Sequence, residues 1–110
     1  MDNATRLIQQ GDVLFFAVDT LPEGLKPKES THPGLAIFAF GEATGHHHSA
    51  VAAGVELYED GQGGLWCRVA ADTEVRHQEH KPVTLAPGNY RVSIVREYDP
   101  FAAEIRRVMD

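Results

Sequence analysis

The histidines carry the clearest chemical signal in this sequence. Five of the six lie in two short segments, His46-His47-His48 and His77 to His80. In an extended segment alternate side chains share a face, so His46 and His48 would project together, roughly 6.5–7 Å apart, while His47 points the other way. Neutral imidazole is a common ligand of divalent metals. The first segment therefore predicts two metal ligands, His46 and His48, with His47 exposed or in a supporting position.

The second segment adds His77 and His80 as candidate ligands. Their i, i+3 spacing does not put both rings on one face of a flat strand, but it does so if the strand ends in a turn near Glu79. Pro82 favours such a turn, because the residue before a proline avoids helical geometry. Glu79 is the candidate catalytic residue, as a general base or as a partner that orients an imidazole. The alternative for Glu79 is a solvated surface acid.

The two segments together would supply three or four nitrogen ligands, and Glu42, Glu56 or Glu79 could add oxygen. Three protein ligands with one open position is the catalytic zinc pattern, and two histidines with a carboxylate is the non-haem iron pattern. The expected cofactor is a divalent metal, which could be zinc, iron, manganese or nickel. A bound zinc would lower the pKa of its water towards about 7 and so provide a hydroxide nucleophile. The alternative is that the histidines are only solvated or hydrogen-bonded.

Two other residues with reactive side chains, His32 and Cys67, are interpreted as structural. His32 lies in a proline-rich segment and is interpreted as an ordinary loop residue. Cys67 follows Trp66 within an apolar run, where a lone cysteine is usually a small core residue. Neither residue adds a nucleophile to the predicted site.

The elements that must position these residues are mainly β-strands. Short apolar runs predict buried strands at Val13–Val18 and Leu35–Phe40. Further strands are predicted over residues 55–59, 65–70, 73–77 and 90–98, with an Asp-Gly hairpin turn after residue 59. Asp99 and Pro100 suit the N-cap and first position of a C-terminal helix. A second short helix is predicted over Ala4 to Gln10.

The fold class that follows is a mainly β domain, a small β-barrel or sandwich of about six or seven short strands with a short C-terminal helix. The 110 residues fit a single domain over the whole chain, residues 1–110.

The amino-acid composition limits the classes of partner that the protein is expected to bind. Ten basic residues are outnumbered by sixteen acidic ones, giving a net charge of −6, which argues against a nucleic-acid partner. No apolar run is long enough to span a bilayer, so no membrane partner is expected. The N-terminus lacks the pattern of a signal peptide, and one cysteine cannot form an internal disulfide. We expect a cytoplasmic protein.

Several motifs resemble those of a group of small uncharacterised proteins encoded in phages, prophages and bacterial genomes. The group's pattern is Gly-Glu-x-Thr-Gly-His-x-His, then His-x-Pro-x-x-Leu-x-Pro-Gly-x-Tyr, then Arg-Glu-Tyr. The matching segments are residues 41–48, 77–82, 85–92 and 96–100, and the similarity begins at Gln10-Gly11-Asp12-Val13. The resemblance implies that His46, His48 and His80 are the important positions, and it implies no reaction.

The order His46-x-His48 and then His80 is also loosely similar to that of cupins, small β-barrels with a His-x-His metal motif. The glutamate that cupins carry shortly after the second histidine is absent, since Ala52 and Ala53 lie in that region. The resemblance therefore implies a cupin-like or other small barrel rather than a true cupin.

Two functions follow from these observations. The first is a small metal-binding domain, as such or as a metal-dependent enzyme, with a small molecule or a protein as its partner. The alternative is a non-catalytic phage or mobile-element accessory protein that binds itself, as a homo-oligomer, or a host protein. In that case the histidines would be structural.

Overall fold

A computed structural model describes residues 6–41, 45–95 and 99–109, the last five of them by backbone alone. This part of the chain forms ten β-strands and one α-helix. The elements are β1 (Leu7–Gln10), β2 (Val13–Val18), β3 (Lys26–Pro27), β4 (Leu35–Phe40), β5 (His47–Val51), β6 (Val55–Glu59), β7 (Leu65–Val69), β8 (Thr73–Val75), β9 (Val83–Leu85), β10 (Gly88–Ile94) and α1 (Pro100–Met109).

The strands are arranged in two layers. The first is a six-stranded antiparallel sheet in the order β1-β2-β10-β7-β6-β3. The second contains the hairpins β4-β5 and β8-β9, joined by an antiparallel bridge between Ser49 and Arg76. The sheets are not closed into a barrel. The prediction of a mainly β fold with a C-terminal helix is confirmed, and of its two alternatives the structure is the sandwich.

The interior strand β2 is apolar throughout because both of its faces are covered. On the inner face Phe15 packs edge-on against Phe38 of the second layer, with ring centroids 5.2 Å apart. On the outer face Phe16 packs against Phe101 of α1, at 5.7 Å. Burying each phenylalanine side chain contributes about 1.5–3 kcal/mol. A strand covered on two sides loses the alternation of a half-exposed one, which explains the continuous apolar run.

The helix is fixed to the sheet at its first turn. Asp99 accepts a hydrogen bond from the backbone N–H of Phe101 at 2.9 Å, so the predicted N-cap is present. The same carboxylate pairs with the guanidinium of Arg91 at 2.9 Å, and both side chains are almost fully buried. No helix in the described ranges is long and apolar enough to cross a membrane.

The predicted helix over Ala4 to Gln10 is wrong where the structure describes it. Residues Leu7–Gln10 form β1 and pair with β2 in register from Leu7 opposite Phe16. A short segment gains little from forming an isolated helix, whereas pairing at the sheet edge satisfies its backbone groups. Residues 1–5 lie outside the described part, as do residues 96–98 of the strand predicted over 90–98.

Candidate functional site

The rings of four histidines from the two segments lie next to one another. His77 is the central member, with its ring centroid 5.5 Å from that of His46, 4.4 Å from His48 and 4.6 Å from His80. The centroids of His48 and His80 are 5.9 Å apart. Two segments about thirty residues apart in sequence therefore meet in space.

Backbone pairing explains how the two segments meet. The bridge between Ser49 and Arg76 has hydrogen bonds in both directions, at 2.7 and 3.0 Å. Antiparallel register then places His48 opposite His77, and the same register continued places His46 opposite Glu79. Residues opposite each other have their side chains on the same face, so the two segments present their side chains together.

His47 points away from this group, as strand alternation predicts. Its Nδ1 hydrogen-bonds to the hydroxyl of Ser49 at 2.9 Å. Its ring lies 5.6 Å from that of His32 and 6.4 Å from that of Phe40, on the other face of β5. His32 is exposed in the segment before β4. These two histidines are therefore separate from the group around His77.

His48 is the most deeply placed of the four, with 2% of its surface exposed. Its Nδ1 lies 2.8 Å from Oε1 of Gln10, which is also 2% exposed. The side-chain amide of Gln10 donates to the carbonyls of Val75 and Lys81, both at 2.9 Å. Since carbonyls only accept, these bonds fix which end of the amide faces His48. Nδ1 of His48 is therefore the donor, and in the neutral ring Nε2 carries the lone pair.

The turn between β1 and β2 brings a carboxylate to the same place. Oδ1 of Asp12 lies 3.8 Å from Nε2 of His48. Gly11, at φ +58°, lets the ring of His80 lie close to the backbone, since a Cβ there would be 2.6 Å from Nε2 of His80. Sequence reasoning missed Gln10 and Asp12, because Gln-Gly-Asp is an ordinary composition for a hairpin turn. The resemblance to the phage-encoded group included this segment without giving it a role.

His77 has a defined hydrogen-bonding state. Its Nδ1 accepts from the backbone N–H groups of Glu79, at 3.0 Å, and His80, at 3.4 Å. In the neutral ring Nε2 then carries the proton. The pKa of His77 is lowered, mainly by burial and then by the charges that His80 and His46 carry when protonated, against an opposing effect of Glu79. A neutral ring is the form that can approach a cation.

Of the three glutamates predicted to add an oxygen ligand, only Glu79 lies beside the histidines in the described part of the chain. Glu79 is exposed, and its Oε2 lies 3.8 Å from Nδ1 of His46, so it borders the group. Glu56 lies on β6, where it accepts from Tyr58 at 3.0 Å and pairs with Arg68, and the structure does not bring it to the histidines. Glu42 lies outside the described residues.

Cys67 is fully buried in the core, and burial raises the pKa of its thiol to about 12. A thiol with that pKa is a poor nucleophile at neutral pH. The residue is therefore a small core side chain, as its position in the sequence predicts.

The distances between the histidine rings suit a shared metal ion, whereas the directions in which their nitrogens point do not yet do so. Among residues 6–41, 45–95 and 99–109, no three His, Cys, Asp or Glu side chains are already arranged to hold an ion. Tetrahedral zinc with nitrogen ligands at about 2.0–2.1 Å would place the ring centroids about 5 Å apart. The observed separations of 4.4–5.9 Å bracket that value, so the remaining adjustment is a rotation of side chains. His80 is exposed and His46 half-buried, which leaves both rings room to rotate.

A family model described as Domain of unknown function (DUF8820) matches residues 9–95. The matched range contains all four clustered histidines together with Gln10 and Asp12. No curated protein and no solved structure matches the chain.

Proposed function

The chain belongs to this family of unknown function, and we propose that it is a small metal-binding domain in which the cluster of His46, His48, His77 and His80 forms the site of a divalent metal. The observation that carries the proposal is the triangle of rings formed by His48, His77 and His80, with sides of 4.4, 4.6 and 5.9 Å. His48 is almost fully buried, His77 is half-buried and His80 is exposed, and a divalent cation can bind several neutral imidazoles at once.

The hydrogen bond from His48 to Gln10 supports the proposal. Histidines that bind metals almost always donate their second ring N–H to a carboxylate, a carbonyl or water, which fixes the tautomer and the ring direction. The amide oxygen of Gln10 takes that place here. The metal could be zinc, iron, manganese or nickel, since imidazole suits several of these ions.

Catalysis is the further possibility within this proposal. A metal bound by three side chains keeps an open position and can activate a water. Glu79 is exposed and borders the group, so it is placed to act as a general base on a small-molecule or protein substrate. His77, with its proton on Nε2, is either a fourth ligand after ring rotation or the group that transfers a proton.

Thermal denaturation with added metal tests the proposal. An ion present at one hundred times its Kd stabilises the folded state by about 2.7 kcal/mol. For a domain of this size that raises Tm by roughly 10–20 °C. We expect this rise with at least one of zinc, iron(II), manganese or nickel for the native protein and for His47→Ala, the matched control on the other face of β5. His48→Ala should lose it, and the absence of any rise in the native protein would rule the proposal out.

A second candidate is a non-catalytic interaction protein, and exposed apolar residues favour it. Phe40 is 52% exposed and Val51 68% exposed, at the ends of β4 and β5. Within the described residues β4 pairs with β5 alone, so its other edge is available to a further strand. Self-association through this edge would appear as a dimer in light scattering that Phe40→Ser dissociates. A monomer at high micromolar concentration would rule out the homo-oligomer.

A further inference from the structure

We infer that the metal site is a two-histidine, one-carboxylate set formed by His48, His80 and Asp12, and that Gln10 is the residue that orients His48 for it. This inference rests on the proposed metal-binding function. It adds a ligand, Asp12, and a positioning residue, Gln10, from the turn between β1 and β2. It also assigns His77 a role other than ligation.

Gln10 is held by a complete set of hydrogen bonds. Its amide nitrogen donates to two backbone carbonyls at 2.9 Å, and its oxygen accepts from Nδ1 of His48 at 2.8 Å. Turning the amide over would place its oxygen against the carbonyls of Val75 and Lys81, and leaving a buried polar group without a partner costs about 1–3 kcal/mol. The orientation of Gln10 therefore selects the tautomer of His48 in which Nε2 is the nitrogen able to bind a metal.

Asp12 lies on the side of His48 where that lone pair is. Its Oδ1 is 3.8 Å from Nε2. Two ligand atoms that share a zinc ion at about 2.0–2.2 Å are separated by roughly 3.3 Å. The gap to be closed is therefore about half an ångström, and the side chain of Asp12 is one-third exposed.

His80 completes the set because Gly11 admits its ring to the same turn. A Cβ at Gly11 would be 2.6 Å from Nε2 of His80, which places that nitrogen beside the residue preceding Asp12. The rings of His48 and His80 are 5.9 Å apart and stacked at an interplanar angle of 16°, so the exposed ring of His80 must rotate before both rings direct a nitrogen at one ion. Two neutral nitrogens and one carboxylate leave several coordination positions open, the arrangement that suits iron(II), among other divalent ions.

His77 fits the role of a hydrogen-bond donor beside these ligands. Its Nδ1 is occupied by two backbone N–H groups, so Nε2 carries the proton and cannot bind a metal in that state. The ring lies 4.4 Å from that of His48 and 4.6 Å from that of His80. It is therefore placed to donate to a water or an anionic oxygen bound at an open position.

Titration with cobalt(II) alone, followed by its visible absorption and by calorimetry, tests the ligand set. Asp12→Asn should lower the cobalt affinity by at least roughly 100-fold, because losing a ligand costs no less than losing a residue that orients one, which costs about 10- to 100-fold. Asp19→Asn makes the same charge change at the opposite end of β2, about 20 Å away along the strand, and should leave the affinity unchanged. His77→Gln should lower the affinity less than Asp12→Asn does, because His77 lies beside the ligands and its Nε2 carries the proton.

The outcomes separate the two proposals. If the native protein binds neither cobalt nor any other divalent ion, the proposed function fails. If it binds cobalt and Asp12→Asn binds equally well, only the present inference fails. Loss of binding in His77→Gln equal to that in Asp12→Asn would also overturn the assignment of His77. Unchanged far-ultraviolet circular dichroism in each variant shows that the fold is intact.

The role of Gln10 has a readout that needs no metal. Long-range ¹H–¹⁵N correlation spectra distinguish the two neutral tautomers of histidine, and the metal-free native protein should show the proton of His48 on Nδ1. In Gln10→Leu this preference should be lost, and cobalt affinity should fall by roughly 10- to 100-fold. A proton on Nε2 of His48 in the native protein would overturn the positioning role.

Discussion

Replacing Gly11 by alanine is expected to weaken metal binding specifically, through the ring of His80. At φ +58° an alanine is strained by about 1–2 kcal/mol, because its Cβ crowds the backbone. The Cβ would also lie 2.6 Å from Nε2 of His80, which must move by about 0.8 Å to reach the 3.4 Å at which ordinary contact begins. A ring pushed out of the turn is less able to bring a nitrogen to the ion within the roughly 0.2 Å that metal–ligand distances tolerate. We therefore expect the affinity to fall roughly 10- to 100-fold, the range seen when a ligand loses its orientation.

Gly24→Ala is the matched control. Gly24 has φ +84°, and no atom lies within 4 Å of the position its Cβ would occupy. Both variants should lower the free energy of unfolding by about 1–2 kcal/mol, since both carry the same backbone strain. Zinc affinity, measured by competition with a chromophoric chelator, should fall in Gly11→Ala alone. Equal affinities in the two variants would refute the placement of His80 in the site.

Three further predictions concern the surroundings of the site and the core. His48→Ala should lower the free energy of unfolding in metal-free urea denaturation by about 1–3 kcal/mol, because it leaves the buried oxygen of Gln10 without its donor; native-like stability would contradict this. Asp99→Ala should lower it by about 3–5 kcal/mol, because the Arg91 charge stays buried without its partner; a loss under 1 kcal/mol would contradict this. Burial opposes ionisation of Asp60, but hydrogen bonds from Gln62, Trp66 and Gly64 and the charge of Arg91 outweigh it and lower its pKa. The ionised carboxylate of Asp60 therefore stabilises the folded state above the usual pKa of 3.8, and this stabilisation is lost as pH falls through the lower pKa of the folded protein. The urea midpoint should therefore fall less steeply in acid for Asp60→Asn than for the native protein.

The strands of the sandwich core and the C-terminal helix follow from local pattern, whereas the N-terminal strand β1 does not. Continuous apolar runs identify β2 and β4, and the Asp-Gly turn identifies the hairpin of β6 and β7. The segment Leu7–Gln10 has no strong pattern of its own, and its strand structure comes from pairing with β2. That pairing is a tertiary effect which local propensity does not contain.

The candidate site, too, could be predicted from the sequence only in part. Residue type and spacing select His46, His48, His77 and His80, and the bridge at Ser49 explains why they meet. Gln10 is invisible to spacing, because its partners lie 38, 65 and 71 residues away in sequence. Asp12 is missed for a related reason, since an aspartate after glycine predicts only a turn.

The metal content of the purified protein tests directly whether the histidine cluster binds an ion. The protein should be expressed in metal-supplemented medium, purified without a metal-affinity column and analysed by inductively coupled plasma mass spectrometry. We expect about one equivalent of a single divalent transition metal per chain, retained in His47→Ala and lost in His48→Ala. A native protein that contains no metal, and takes up none on dialysis against zinc, iron(II), manganese or nickel, would contradict this expectation.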